Sequence, residues 1–153
     1  MTEGLNIVIA DESYAQMQDH DLDGVCDSTV MAAWKTWVME ACRGETSFLL
    51  MAQINGVNVG HVRVTPAGVG GAKPTIKDDT LVKIASFHVS SKWRGQGIGT
   101  KLMEAAVEMS RKLPGVEAVV SEVSRGNRDS VRTFKAAGFK SVPSRTVGLR
   151  IQF

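Results

Sequence analysis

The chain has 153 residues, 43% of them hydrophobic and 22% charged, with a formal net charge of +2. That is the size of one domain, 1–153, with room for a single buried core, and the composition of an ordinary globular protein. No apolar run reaches the roughly 18 residues of a membrane span, and Cys26 and Cys42 fit no metal or redox spacing, so membrane, zinc and disulfide-scaffold classes fall away.

"LNIVIA" (5–10) predicts a first strand. The N-terminus has no basic region ahead of a hydrophobic one, which argues against a signal peptide and, with two isolated thiols, for a cytoplasmic protein. Asp19-x-Asp21-x-Asp23-Gly24 matches the start of a calcium loop, but Val30 stands at the twelfth position where a bidentate glutamate is needed, so it is read as an acidic turn and no metal is expected. "STVMAAWKTWVMEACRG" predicts a helix capped at Ser28 and stopped at Gly44, with Val30, Trp34, Trp37, Val38 and Ala41 at helical spacing.

"SFLLMAQI" and "VNVGHVRVT" flank Asn55-Gly56, a strong hairpin signal, and predict antiparallel second and third strands. Residues 66–80 are rich in proline and glycine and predict a loop. A fourth strand, Leu81 to Val89, precedes the turn "WRGQGIGTK" and a helix from about Thr100 to Leu113, with Leu102, Met103, Ala106 and Met109 as its buried stripe and Pro114-Gly115 as its stop. "VEAVVSEV" (116–123) predicts a fifth strand buried on both faces, joined to the fourth by a right-handed crossover. "NRDSVRTFKAAGF" predicts a short helix capped by Asn127 and stopped at Gly138, and the tail adds one or two strands. The order predicts a mixed α/β sheet flanked by helices.

The turn at 93–101 invites an anion, and its neighbours decide which. A P-loop requires lysine directly after its last glycine, and here Thr100 intervenes. A dinucleotide fingerprint belongs early in a parallel sheet, with an acid about 20 residues on at the end of the next strand; Glu117 lies at that strand's beginning. Arg94-x-x-Gly97-x-Gly99 instead resembles the Arg/Gln-x-x-Gly-x-Gly/Ala signature of the GNAT acetyltransferase superfamily. "NRDSVRTFKAAGF", beginning 33 residues after Arg94, is similar to that family's Asn-x-x-Ala-x-x-x-Tyr-x-x-x-Gly-Phe segment. The likeness runs over about residues 47–140, and the first 45 match only in element order.

The physics suits acyl-CoA. A helix N-terminus offers unpaired N–H groups to a pyrophosphate, and glycine lets the backbone approach it. The resemblance implies a mostly antiparallel sheet splayed between strands four and five, with pantetheine lying along the backbone of Phe87, His88 and Val89. It implies that the pyrophosphate rests on Gly95, Gln96, Gly97, Ile98, Gly99 and Thr100, with charge from Arg94 and Lys92. It further implies contacts from Asn127, Ser130 and Phe134. A backbone amide beside the thioester would stabilise the oxyanion.

The chemistry needs a base for the amine and an acid for the thiolate. The family's usual acid, a tyrosine, is replaced by Phe134, and Tyr14, the one tyrosine in the chain, cannot be moved onto that role by motif. Glu122, toward the end of strand five, and His88, on strand four, are the candidate bases; His61 on strand three ranks after them.

Residues 1–45 carry nine acidic and two basic residues, a net −7, whereas the rest carries sixteen basic and seven acidic, a net +9. Either these are two solvated surfaces, or an acidic site for a cationic amine adjoins a basic site for a polyphosphate. The expected activity is acetyl transfer from acetyl-CoA to a primary amine by direct attack in a ternary complex. The alternative is a catalytically weak or inactive acyl-CoA-binding module. Nucleic-acid binding lacks aromatic interleaving and a reading helix, and a homodimer is compatible with exposed tail strands.

Overall fold

The computed structural model describes residues 4–17, 28–44, 47–66, 81–123, 127–142 and 147–153. Its strands are β1 (Leu5–Ile9), β2 (Phe48–Ile54), β3 (Val57–Pro66), β4 (Leu81–Val89), β5 (Ala118–Val123), β6 (Lys140–Val142) and β7 (Val147–Gln152). Its α-helices are α1 (Ser28–Arg43), α2 (Ile98–Lys112) and α3 (Arg128–Ala136), with 3-10 turns at Glu12–Gln16 and Ser91–Trp93. The strands form one sheet in the order β1-β2-β3-β4-β5-β7-β6. Among the described residues only β4 and β5 run parallel, and every other pairing is antiparallel. The mixed, mostly antiparallel α/β sheet is therefore as expected, and the tail supplies both of the strands allowed for it. The aspartate-rich turn at 19–24 and the loop after Pro66 lie outside the described residues; Pro66 itself ends β3.

Local chemistry explains the elements. Asn55 and Gly56 take φ of 51° and 80°, the left-handed pair of a two-residue hairpin, and Ile54 then faces Val57. At the far end of α3, Gly138 (φ 105°) lets its own N–H reach Lys135 O at 3.0 Å and the Phe139 N–H reach Phe134 O at 3.1 Å. The Phe134 and Phe139 rings meet edge-on 5.0 Å apart, so the helix stop is reinforced by an apolar contact.

The sheet separates two cores. Its larger core packs β2, β3 and β4 against α2 and α3, with Leu50, Val62, Ile98, Leu102, Met103 and Phe134 among its members. The smaller one, on the opposite face, gathers Leu49 and Met51 of β2 with Trp34 and Val38 of α1. Two hydrogen bonds pin the first 3-10 turn there: Trp34 Nε1 donates to the Tyr14 carbonyl at 2.9 Å, and Gln53 Nε2 donates to Tyr14 Oη at 2.8 Å. Of the expected α1 stripe, Trp34 and Val38 are buried while Trp37 and Ala41 are half-buried.

The head of α2 departs from expectation. The sequence predicts that this helix starts near Thr100, but it starts at Ile98 and takes Gly99 into its first turn. Glycine is a poor helix former, so the prediction begins after the last one. The fold uses it for clearance: a Cβ on Gly99 would come within 3.1 Å of Phe87 Cζ on β4.

Candidate functional site

Two features of β4 create a cleft. Its pairing with β5 covers only Leu81–Ala118, Val82–Val119 and Lys83–Val120; beyond Lys83 the two parallel strands part. At the same point the β3–β4 register slips. Arg63 faces Ser86 and Val64 faces Ile84, so Ala85 has no partner across the ladder and forms a bulge. The extra residue inverts the alternation of side chains. Val82 and Ile84 belong to the larger core before the bulge, and Phe87 and Val89 after it, leaving Ser86 and His88 on the α1 face.

Where the strands part there is a cavity of about 240 Å³ lined by Ser86, Phe87, Glu122, Asn127, Ser130 and Phe134, among others. A larger one of about 670 Å³ runs from His88 and Val89 past Arg94, Gly97 and Thr100 to α3. Phe87, Asn127 and Ser130 line both, so the two adjoin.

The glycine turn forms the wide end. Gly95 (φ 78°) and Gly97 (φ 80°) are both left-handed, and a Cβ on either would meet no atom within 4 Å. Open space above a left-handed backbone is what a ligand approaching the main chain requires. Gly97 is the N-cap of α2, and the first helical bond runs from Lys101 N to Gly97 O at 3.1 Å. The amides of Ile98, Gly99 and Thr100 therefore have no intrahelical acceptor, and all three residues line the wide cavity. The three alternate glycines thus serve two needs: two of them bend the chain, and the third packs it.

Arg94 does something the sequence does not announce. Its Nε donates to the Val89 carbonyl at 3.0 Å, tying the turn to the end of β4. Asn127 caps α3 as expected, its side chain accepting from Ser130 N at 3.2 Å. Phe134 is 3% exposed and meets Phe87 edge-on at 6.1 Å, so it fills the core and at the same time walls the narrow end of the cleft.

The candidate bases sit apart. Glu122 is exposed on the β5 wall of the narrow cavity, and His88 is half-buried on the β4 wall of the wide one. Gln96 is exposed in the turn but is not among the wall residues. Sequence reasoning passes over Trp93, Arg132 and Thr133, which also line the wide cavity. Arg132 and Thr133 stand three and four residues after Asp129, which lines the same cavity, so the three share one face of α3. Nothing in the sequence marks Trp93, because its place depends on the 3-10 turn at Ser91–Trp93.

On the α1 face, His61 is completely buried. Its Nε2 lies 2.7 Å from Ser86 Oγ, and the Trp34 ring meets it edge-on at 5.5 Å. Beside it, the Arg63 guanidinium stacks 4.3 Å from the Trp37 ring centre and pairs with Glu40 at 2.9 Å. Burial pushes the Arg63 pKa down, and Glu40 opposes that shift. Among the described residues no cluster of three or more histidine, cysteine or acidic groups could hold a metal ion, and no helix is long and apolar enough to cross a membrane.

The site is thus a parallel strand pair that splays over a cleft leading to a glycine-turned helix head. Comparison with known proteins supplies the family. The profile of the acetyltransferase (GNAT) family matches residues 12–139, and the chain belongs to that family. An N-alpha-acetyltransferase of Sulfurisphaera tokodaii is 31% identical over 101 residues, which are 64% of this chain and 59% of that relative's length. Among solved structures, the aminoglycoside acetyltransferase AAC(6')-Ib in complex with coenzyme A and kanamycin superposes with a TM-score of 0.75 at 20% identity, covering 97% of this chain and 94% of that one. The GNAT domain of S. lividans PAT gives 0.76 at 20% identity, covering 97% and 90%.

Proposed function

We propose that the protein is an N-acetyltransferase that moves the acetyl group of acetyl-CoA to a primary amine of a small molecule or peptide by direct attack in a ternary complex. The observation that carries this reading is the pair of adjoining cavities that leads from the head of α2 to the split between β4 and β5. The pyrophosphate of the cosubstrate suits Gly95, Gln96, Gly97, Ile98, Gly99 and Thr100, with Arg94 and Arg132 adding positive charge. Pantetheine suits the backbone of Phe87, His88 and Val89, which β5 leaves unpaired, with Asn127, Ser130 and Phe134 opposite. The thioester then falls in the narrow cavity, near Ser86 and Glu122.

Glu122 and His88 are the proposed groups for proton handling, and both border the cleft. The acceptor is proposed to be cationic: the first 45 residues carry a net −7, and Tyr14, Trp37 and Glu40 lie on the sheet face to which Ser86 turns. Names of related proteins support an amine acceptor, one being an N-alpha-acetyltransferase and another crystallised with kanamycin. A cytoplasmic setting fits the sequence reading.

Phe134 keeps a second reading in view, a CoA-binding module without turnover, because it has no proton for a leaving thiolate. One assay separates the two. Purified protein is mixed with acetyl-CoA and a panel of kanamycin A, spermidine, lysine and short peptides with free N-termini, and released thiol is followed. Release that depends on the amine supports the transferase. Binding of acetyl-CoA with no amine-dependent release across the panel supports the module.

A further inference from the structure

The buried His61 on the α1 face ranks after Glu122 and His88 as a candidate base by sequence, but its surroundings give it a task. A fully buried imidazole is costly to place in a sheet unless its nitrogens are satisfied. Here Nε2 is 2.7 Å from Ser86 Oγ, and Ser86 is a wall residue of the narrow cavity. The contact exists because Ala85 bulges. Without that extra residue Ser86 would turn into the larger core and Phe87 would turn toward His61. Trp34 packs edge-on against the ring, and the serine hydroxyl gives His61 a route toward the cleft.

Resting on the transferase reading, we infer that Ser86 and His61 form a proton relay for the attacking amine. Ser86 touches the amine, and His61 acts through it as the acceptor. The relay uses the tautomer whose Nε2 is unprotonated, so that the Ser86 hydroxyl donates to it. As the amine lone pair forms the new N–C bond at the thioester carbonyl, the N–H proton passes to Ser86 Oγ while the serine's own proton passes to His61 Nε2. The C–S bond then breaks with its electron pair on sulfur, and the thiolate takes a proton. His61 returns its proton through Ser86 to the open cleft, so none is gained or lost overall. Among the groups that tune the imidazole are His88, its partner across on β4, Arg63 two residues along β3, and Glu40 of α1 behind Arg63; β2 presents the uncharged Met51. Protonation of His61 blocks the relay, so kcat must fall toward acid pH.

The test uses the whole chain, acetyl-CoA and whichever amine of the panel turns over fastest. His61→Gln and Ser86→Ala are each expected to lower kcat about 100-fold or more, the scale of general acid–base catalysis, with acetyl-CoA affinity by calorimetry within about threefold of wild type. The double variant is expected to be no slower than either single one, because the two residues act as one unit. Ser86→Thr, which keeps the hydroxyl, should retain most of the rate. In His61→Gln the acid limb of the kcat–pH profile should move to the midpoint set by protonation of the amine alone, an effect that loss of packing would not produce. Ser86→Ala removes a single half-buried oxygen and keeps the test open should His61→Gln not fold. Wild-type turnover together with kcat in Ser86→Ala within about threefold of wild type, or an acid limb whose midpoint is unchanged in His61→Gln, overturns the relay while leaving the transferase reading intact. Absence of turnover by the wild type on every amine overturns both.

Discussion

The two ends of the cleft are made of different material. At the wide end the head of α2 is shaped by main chain: Gly95 and Gly97 in left-handed conformation, Gly99 pressed to Phe87, and three amides left unpaired by the helix that they begin. At the narrow end the split between β4 and β5 is shaped by side chains and by one bulge that decides which of them face where. The difference teaches where chemical choice resides. A main-chain site can hold the same anion across many proteins, whereas the side chains around Ser86 and Glu122 are free to vary with the acceptor.

Substitution at the wide end gives the largest expected effect. Gly97→Glu puts a side chain with a carboxylate into the open space above the turn, at a φ of 80° that L-residues rarely adopt. Coenzyme A affinity should fall at least about 100-fold, a loss of about 2.7 kcal/mol or more, as read by calorimetry. Unchanged affinity would break the comparison, because it would mean that the main chain there does not grip the ligand.

At the narrow end the expected first casualty is stability. Phe134→Ala removes a ring that is 3% exposed and touches both Phe87 and Phe139, and it should cost about 3–5 kcal/mol in chemical denaturation. A loss under about 1 kcal/mol would show that this end is held by something else. Asn127→Ala sits between the two cases. Loss of the cap bond to Ser130 N should lower stability by about 1 kcal/mol, and if Asn127 also touches the ligand, coenzyme A affinity should fall several-fold as well.

The smallest effect sharpens the picture of the α1 face. Burial raises the Tyr14 pKa above its ordinary value of 10.0, Asp11 raises it further, and the hydrogen bond from Gln53 partly offsets both. A raised folded-state pKa means that the folded form holds its proton more tightly than the unfolded form. This contribution to stability is therefore complete below about pH 10 and is lost as pH rises through the folded value. Because the chain has a single tyrosine, ultraviolet absorbance reports this one group. The midpoint should lie above 10.0 and move down on unfolding.

The same contrast explains how much can be read from the sequence. Glycine spacing, the Asn55-Gly56 hairpin and the Asn127 cap are local signals, each set by a few residues, and they place the turn, the third strand and the last helix within a residue or two. The start of α2 falls two residues earlier than the sequence predicts because a long-range contact, Gly99 against Phe87, overrides glycine's poor helix propensity. The bulge at Ala85 leaves no compositional mark, since "IASFHV" reads equally well with either parity. For the same reason the orientation of His88 and the burial of His61 under Trp34 are not legible: both depend on which face α1 covers. Phe134 is legible as a core residue, and its position also borders the cleft.

The most direct test of the anion-binding claim is to follow the backbone amide resonances of Ile98, Gly99 and Thr100 while coenzyme A is added to the protein. Hydrogen bonds from these amides to the diphosphate should move all three signals downfield, along with slower exchange of their protons. Saturation with coenzyme A that leaves those three signals in place, while others shift, would contradict the account.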